Sequence, residues 1–169
     1  MVFCRLGGHH GEKGEAMASV LILGMGNVLK ADDGMGVHAV RLLAEEPPRG
    51  ADMLEIGTSL ADCFFLLEGY DVVVALDAVH FGAEPGACCW LSRADLARAE
   101  GGLSLHECDL LDALDLANLR GRHPVLYVAG MEPVDVTGWS MELSAPVRRN
   151  MPAYLAMVRA RIRRMTEET

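Results

Sequence analysis

Three aspartates and one histidine carry most of the chemistry open to this sequence. Asp32 and Asp33 stand side by side in "VLILGMGNVLKADDGMGVHAV", residues 20–40, which opens like a dinucleotide-binding turn. Gly24 and Gly26 end the first apolar run, but Leu29 occupies the place of the third glycine in G-x-G-x-x-G. Two adjacent carboxylates would also meet a pyrophosphate with like charge, so the turn favours a cation or a hydrogen-bond donor. Capping of the following helix accounts for one aspartate through bonds to free amides; it does not require two. Asp77 closes the apolar run "DVVVALDAV", residues 71–79. A carboxylate there needs a partner, because an unpaired buried charge is costly; a metal, a backbone amide or solvent at the strand end would each serve. His106 falls in the first turn of a later helix, where the positive end of the macrodipole keeps the ring neutral, the form that binds metals. A carboxylate from the 32–33 pair, Asp77 and His106 would make a three-ligand site with open positions, suited to a borderline divalent metal, if they share one rim.

The pattern of elements predicts such a rim. "SVLILG", residues 19–24, is a short continuous apolar run, as in a strand buried on both faces. "GVHAVRLLAEE" follows with Val37, Val40, Leu43 and Ala44 at helical spacing and ends at Pro47-Pro48. Strands are also expected at "DMLEIG", at residues 71–79 as the central one, in "EPGACCWLS" after its Pro-Gly turn, and at "PVLYVAG". Helices are expected at "SLADCFFLLEG", closed by Gly69, at "SRADLARAE" with Ser92 as cap, and at "SLHECDLLDALDLANLRG", where Ser104 and Glu107 have capping-box spacing. A terminal helix starts from about Ser144, with Pro152 as a kink or its true start. Its six arginines from Arg148 to Arg164 read as a solvated face. Strands alternating with helices predict an α/β fold: three layers, with a mainly parallel twisted sheet between helices on both faces. Chemistry in such folds lies outside the carboxyl ends of the strands.

Composition narrows the function classes. The chain has 169 residues, which suits one domain; residues 18–169 are expected to form it and residues 1–17 a disordered extension. A net charge of -9 argues against non-specific nucleic-acid binding and against anionic membranes. No run approaches the roughly 18 to 20 apolar residues of a membrane helix, and the first residues lack the apolar core of a secretion signal. The cysteines, Cys4, Cys63, Cys88, Cys89 and Cys108, contain no C-x-x-C pair and read as reduced cytoplasmic thiols. Adjacent Cys88 and Cys89 point to opposite faces of a strand, which strains a shared ligand role. His9 and His10 lie in the tail without fixed neighbours, and His38, His80 and His123 read as surface residues.

"GNVLKADDGMG" resembles the signature of the hydrogenase maturation endopeptidases, which act on nickel–iron hydrogenases. The likeness continues through "GTS" after the second strand, "DAV" at the end of the third, a histidine opening a later helix, and "VAGMEPVDVTGWSMELSAPV" before the last helix, covering roughly Ser19 to Arg163. The resemblance implies a cytoplasmic enzyme that removes a C-terminal peptide from the hydrogenase large-subunit precursor after nickel insertion. It implies that Asp33, Asp77 and His106 form the metal-binding and catalytic set. It also implies that the nickel belongs to the substrate, so the free enzyme holds no tightly bound cofactor. Asp32, as base or as orienter of the loop, and Asn27, as donor to a substrate carbonyl, are the supporting candidates. Gly138-Trp139 departs from the glycine-leucine more usual in the family, and residues 1–17 have no counterpart. The competing class is a non-catalytic nickel-binding maturation chaperone that uses the same residues to hold an ion and pass it on.

Overall fold

The computed structural model describes residues 3–4, 18–59, 64–96 and 105–167, without the side chains of residues 3–4, 64 and 105–109. The strands are β1 (Phe3–Cys4), β2 (Val20–Met25), β3 (Ala51–Gly57), β4 (Val72–Ala78), β5 (Cys88–Ser92) and β6 (Val125–Met131). The helices are α1 (Met35–Glu45), α2 (Phe64–Leu67), α3 (Arg93–Leu96), α4 (Leu105–Leu119) and α5 (Ala145–Glu167), and a 3-10 turn spans Ala31–Gly34. The sheet runs in the order β1-β3-β2-β4-β6-β5. Its inner pairs β2–β3, β2–β4 and β4–β6 are parallel, and β1 and β5 are antiparallel edges. β4 is central, as its unbroken β-branched run requires, with the backbone groups of both edges bonded to neighbours.

Period-two alternation along each inner strand divides the core into two layers. Ile22, Val74, Leu76 and Ala129 meet Met35, Val40, Leu43, Val147, Tyr154 and Val158 of α1 and α5. Leu23, Val73, Ala75 and Val128 meet Leu67 of α2 and Leu110 and Leu114 of α4 on the opposite face. Each fully buried leucine or isoleucine in these layers contributes about 1.5–3 kcal/mol. Tyr154 adds a polar tie, its hydroxyl donating to the Ala129 carbonyl at 2.6 Å.

Several local expectations hold. Ser92 and Asp95 bond reciprocally at the start of α3, with the Ser92 amide and hydroxyl both donating to the Asp95 carboxylate. Cys88 packs with the α1–α5 layer, whereas the Cys89 thiol lies against Gly130, so the two side chains do face apart. α5 begins at Ala145, where the terminal helix is expected, so Pro152 lies inside it and removes the bond to the Arg148 carbonyl. One expectation changes. Phe3–Cys4, within the stretch expected to be a tail, pairs with Met53 and Leu54 at the sheet edge. Ser104 and the side chains of Glu107, Cys63 and Cys108 lie outside what the structure describes, and with them the capping pair. Among the described residues no helix is long and apolar enough to cross a membrane.

Candidate active site at the carboxyl ends of the strands

The turn between β2 and α1 is shaped by backbone contact as close as atoms allow. Gly26 has φ of 103°, in the region that favours glycine, and a Cβ there would lie 1.7 Å from the Asp33 carbonyl oxygen. A Cβ at Gly36 would lie 1.9 Å from the Leu76 carbonyl oxygen. Gly36 thus lets the first turn of α1 rest on the end of β4, one residue from Asp77. The glycines around the aspartates serve the fit of this chain's own helix against its own strands.

Neither aspartate caps a helix: neither the 3-10 turn nor α1 has a side-chain cap bond. Asp32 is fully buried and spends both oxygens on a segment far along the chain. Oδ2 accepts from the amides of Val134 at 2.8 Å and Asp135 at 3.3 Å, and Oδ1 from the amide of Ser144 at 2.7 Å. Backbone bonds add to the clamp, from Ala31 N–H to the Ser140 carbonyl at 2.7 Å and from Ser140 N–H to the Leu29 carbonyl at 3.1 Å. Bonds to a charged acceptor contribute about 1.5–3 kcal/mol each, so Asp32 is what fastens the loop of residues 132–144 to the turn. Asp33, half-buried, accepts from the Asn27 amide at 2.9 Å, and the Asn27 side chain is itself engaged by the Leu29 amide at 3.0 Å. Ala31 takes a positive φ of 44° between them, a conformation that a non-glycine residue holds only when its surroundings impose it.

Asp77 is the penultimate residue of β4 and is 1% exposed. Its Oδ1 accepts from the Ala78 amide at 2.8 Å. Alternation puts Asp77 on the same face as Val73 and Ala75, the face covered by α4. Because α4 leads back into the start of β6, its first turn lies over the carboxyl ends of the strands. His106 is the second residue of that helix, although its side chain lies outside the description. The 3-10 turn packs against β4 from the β2 side. Asp33, Asp77 and the backbone of His106 are thus on one end of the sheet. Among the described residues no three His, Cys, Asp or Glu side chains gather closely enough to hold an ion.

Glu132, just beyond β6, went unnoticed in the sequence. It is 6% exposed, meets His80 Nδ1 at 3.0 Å, and accepts from the amides of Phe81 at 2.8 Å and Ala83 at 3.1 Å. Burial pushes its carboxyl up, but the bonds from His80, Phe81 and Ala83 together outweigh burial and hold it below the usual carboxylate range. This fixes the loop that leaves Asp77. The signal in the sequence was one acid directly after an apolar strand, in "VAGMEP". Of the histidines read as surface, His80 is tied to Glu132, and His123 meets Asn118 at 3.0 Å. His38 is half-buried beside the Met141 backbone; burial first, then Arg41, lowers its pKa and keeps the ring neutral at pH 7.

The family model for HycI, hydrogenase maturation protease, matches residues 37–161, a span that includes Asp77 and His106 and begins just past Asp33. The chain belongs to the hydrogenase maturation protease family. Within that family it is 32% identical to the hydrogenase expression/formation protein HupD of Rhizobium leguminosarum bv. viciae over 141 residues, 80% of this chain and 70% of the relative. HupD of Bradyrhizobium diazoefficiens is 34% identical over 134 residues, 76% of this chain and 70% of the relative. Among solved structures, the hydrogenase maturating endopeptidase HybD from E. coli superposes with a TM-score of 0.76 at 26% identity, covering 85% of this chain and 91% of that one. The nickel–iron hydrogenase maturation protease HybD from Thermococcus kodakarensis gives 0.70 at 28% identity, covering 83% and 97%.

Proposed function

We propose that this maturation protease removes the C-terminal peptide of a nickel–iron hydrogenase large-subunit precursor after nickel insertion, and that it recognises the precursor by the nickel already in it. Asp33, Asp77 and His106 make the contact with that ion. The observation that carries the reading is the placement of Asp77: a buried carboxylate at the carboxyl end of the central strand, on the face that α4 covers and beside the turn bearing Asp33. Two carboxylates and an imidazole accept nickel without forming the all-thiolate trap that would strip it from a cysteine-rich substrate site. Contact with the substrate ion holds the scissile peptide at the rim, where the ion or a carboxylate-activated water promotes attack. Asp32 orients the loop in this reading and is no base, since both its oxygens already accept amide protons. No resident cofactor is required. The reaction belongs in the cytoplasm, where a thiol such as that of Cys88 stays reduced.

The test is incubation with nickel-loaded precursor, reading the mass of the large subunit. Shortening is expected with the wild-type protein, and none with Asp33→Asn, Asp77→Asn or His106→Ala, each of which keeps its circular dichroism spectrum. Cleavage retained in two of the three overturns the site. Transfer of nickel without shortening would replace the protease with a metal-handling chaperone.

A further inference from the structure

Four large apolar side chains stand out of the surface beside the candidate site: Leu29 at 46% exposure, Val134 at 52%, Trp139 at 80% and Met141 at 66%. They come from two segments joined backbone to backbone, through a parallel bridge of Lys30 with Ser140 and the bonds of Ser140 to Leu29 and Ala31. Exposed apolar residues scattered singly are ordinary, whereas a gathered patch marks a place of contact.

The patch is held rigid. Asp135 Oδ1 accepts from the amides of Thr137 and Gly138 and from the Thr137 hydroxyl, all within 2.9 Å, and Asp32 fixes both ends of the segment. Trp139 is therefore displayed on a loop already ordered before anything binds, and a partner loses little further freedom in meeting it.

Position says which partner. Ala31, bonded to Ser140, precedes Asp33 by two residues in the same 3-10 turn. An extended peptide advances about 3.3–3.6 Å per residue, so a chain whose bond is cut near Asp33 reaches the patch within a few residues. Charge narrows its chemistry further. Asp135 is an exposed carboxylate on the same loop and would repel an acidic segment, whereas Glu142 is paired with Arg148 at 3.8 Å.

We propose that Leu29, Val134, Trp139 and Met141 form the docking strip for an apolar, non-acidic stretch of the substrate polypeptide beside the scissile bond, with Trp139 as its anchor. The inference rests on the function proposed above and names the part of the substrate that this surface reads.

Steady-state processing of nickel-loaded precursor and tryptophan fluorescence test it together. Trp139→Ser and Met141→Ser are expected to raise the KM for precursor about tenfold each, the size of a modest interface anchor, with kcat moved by less than about twofold. Trp139→Leu should recover most of the loss. On addition of precursor, the exposed tryptophan emission should shift to the blue and lose access to acrylamide; precursor carrying serines in place of the apolar residues beside the cut should leave both unchanged. An unaltered KM in the Trp139→Ser/Met141→Ser double variant, or equal quenching in the free and complexed protein, overturns the strip while wild-type cleavage leaves the protease reading intact. Protection of Trp139 in a complex that is never cut has the opposite meaning: it removes the protease reading and keeps the strip.

Discussion

Asp32 gives both carboxylate oxygens to backbone amides 102 to 112 residues away, whereas Asp33 accepts from the Asn27 amide of its own turn. Their substitution should therefore separate stability from activity. Asp32→Ala leaves the part-buried amides of Val134 and Ser144 without their acceptor, and an unmade bond of this kind costs about 1–3 kcal/mol per group. A loss of about 2–4 kcal/mol in urea unfolding is expected. Asp33→Asn keeps an oxygen to accept from the Asn27 amide, so its stability should stay within about 1 kcal/mol of wild type while processing is lost. Equal stability of the two variants would contradict the clamp. Asp33, Asp77 and His106 were legible as candidates because their chemical types stand out against local pattern: acids in a turn too crowded for phosphate, an acid ending an apolar strand, a histidine in a first helical turn. The structural duty of Asp32 was not legible, because its partners are distant in sequence and are amides, which every residue but proline carries.

α1 and the end of β4 meet with no space for a side chain, which makes Gly36 a test of how helix placement controls the site. Alanine would gain about 1 kcal/mol in helix propensity over glycine. The 1.9 Å approach to the Leu76 carbonyl opposes that gain with a backbone atom that has no rotamer to escape into. Overpacking wins, and Gly36→Ala should lose about 2 kcal/mol or more in urea unfolding, together with processing, as the 31–34 turn is pushed from Asp77. Alanine as stable and active as glycine would refute this contact. The loop after β4 offers a pH test through Glu132. Its carboxyl titrates lower in the folded chain than in the unfolded one, so its stabilisation is present above the unfolded value of about 4.3 and is lost as pH falls through the folded value. Between pH 7 and pH 3 the urea midpoint of wild type should fall more steeply than that of Glu132→Gln. Parallel profiles would show that the tie of Glu132 to His80, Phe81 and Ala83 contributes nothing.

At the scale of the whole molecule, the order of elements, the parallel inner sheet and the central place of residues 72–78 could be read from hydrophobic runs, because burial on one face or two imposes a period that survives in the sequence. The aspartates and the histidine were assigned to element ends on the same grounds, and the resemblance to maturation endopeptidases rested on residues present in the sequence itself. Tertiary structure alone decided that Asp32 is a clamp, that Glu132 braces the loop leaving Asp77, and that Trp139 stands beside the turn of Asp33. These facts depend on the meeting of segments separated by fifty residues or more. Local periodicity reports which face of an element is dry; it carries no information about which distant backbone arrives to satisfy a buried charge.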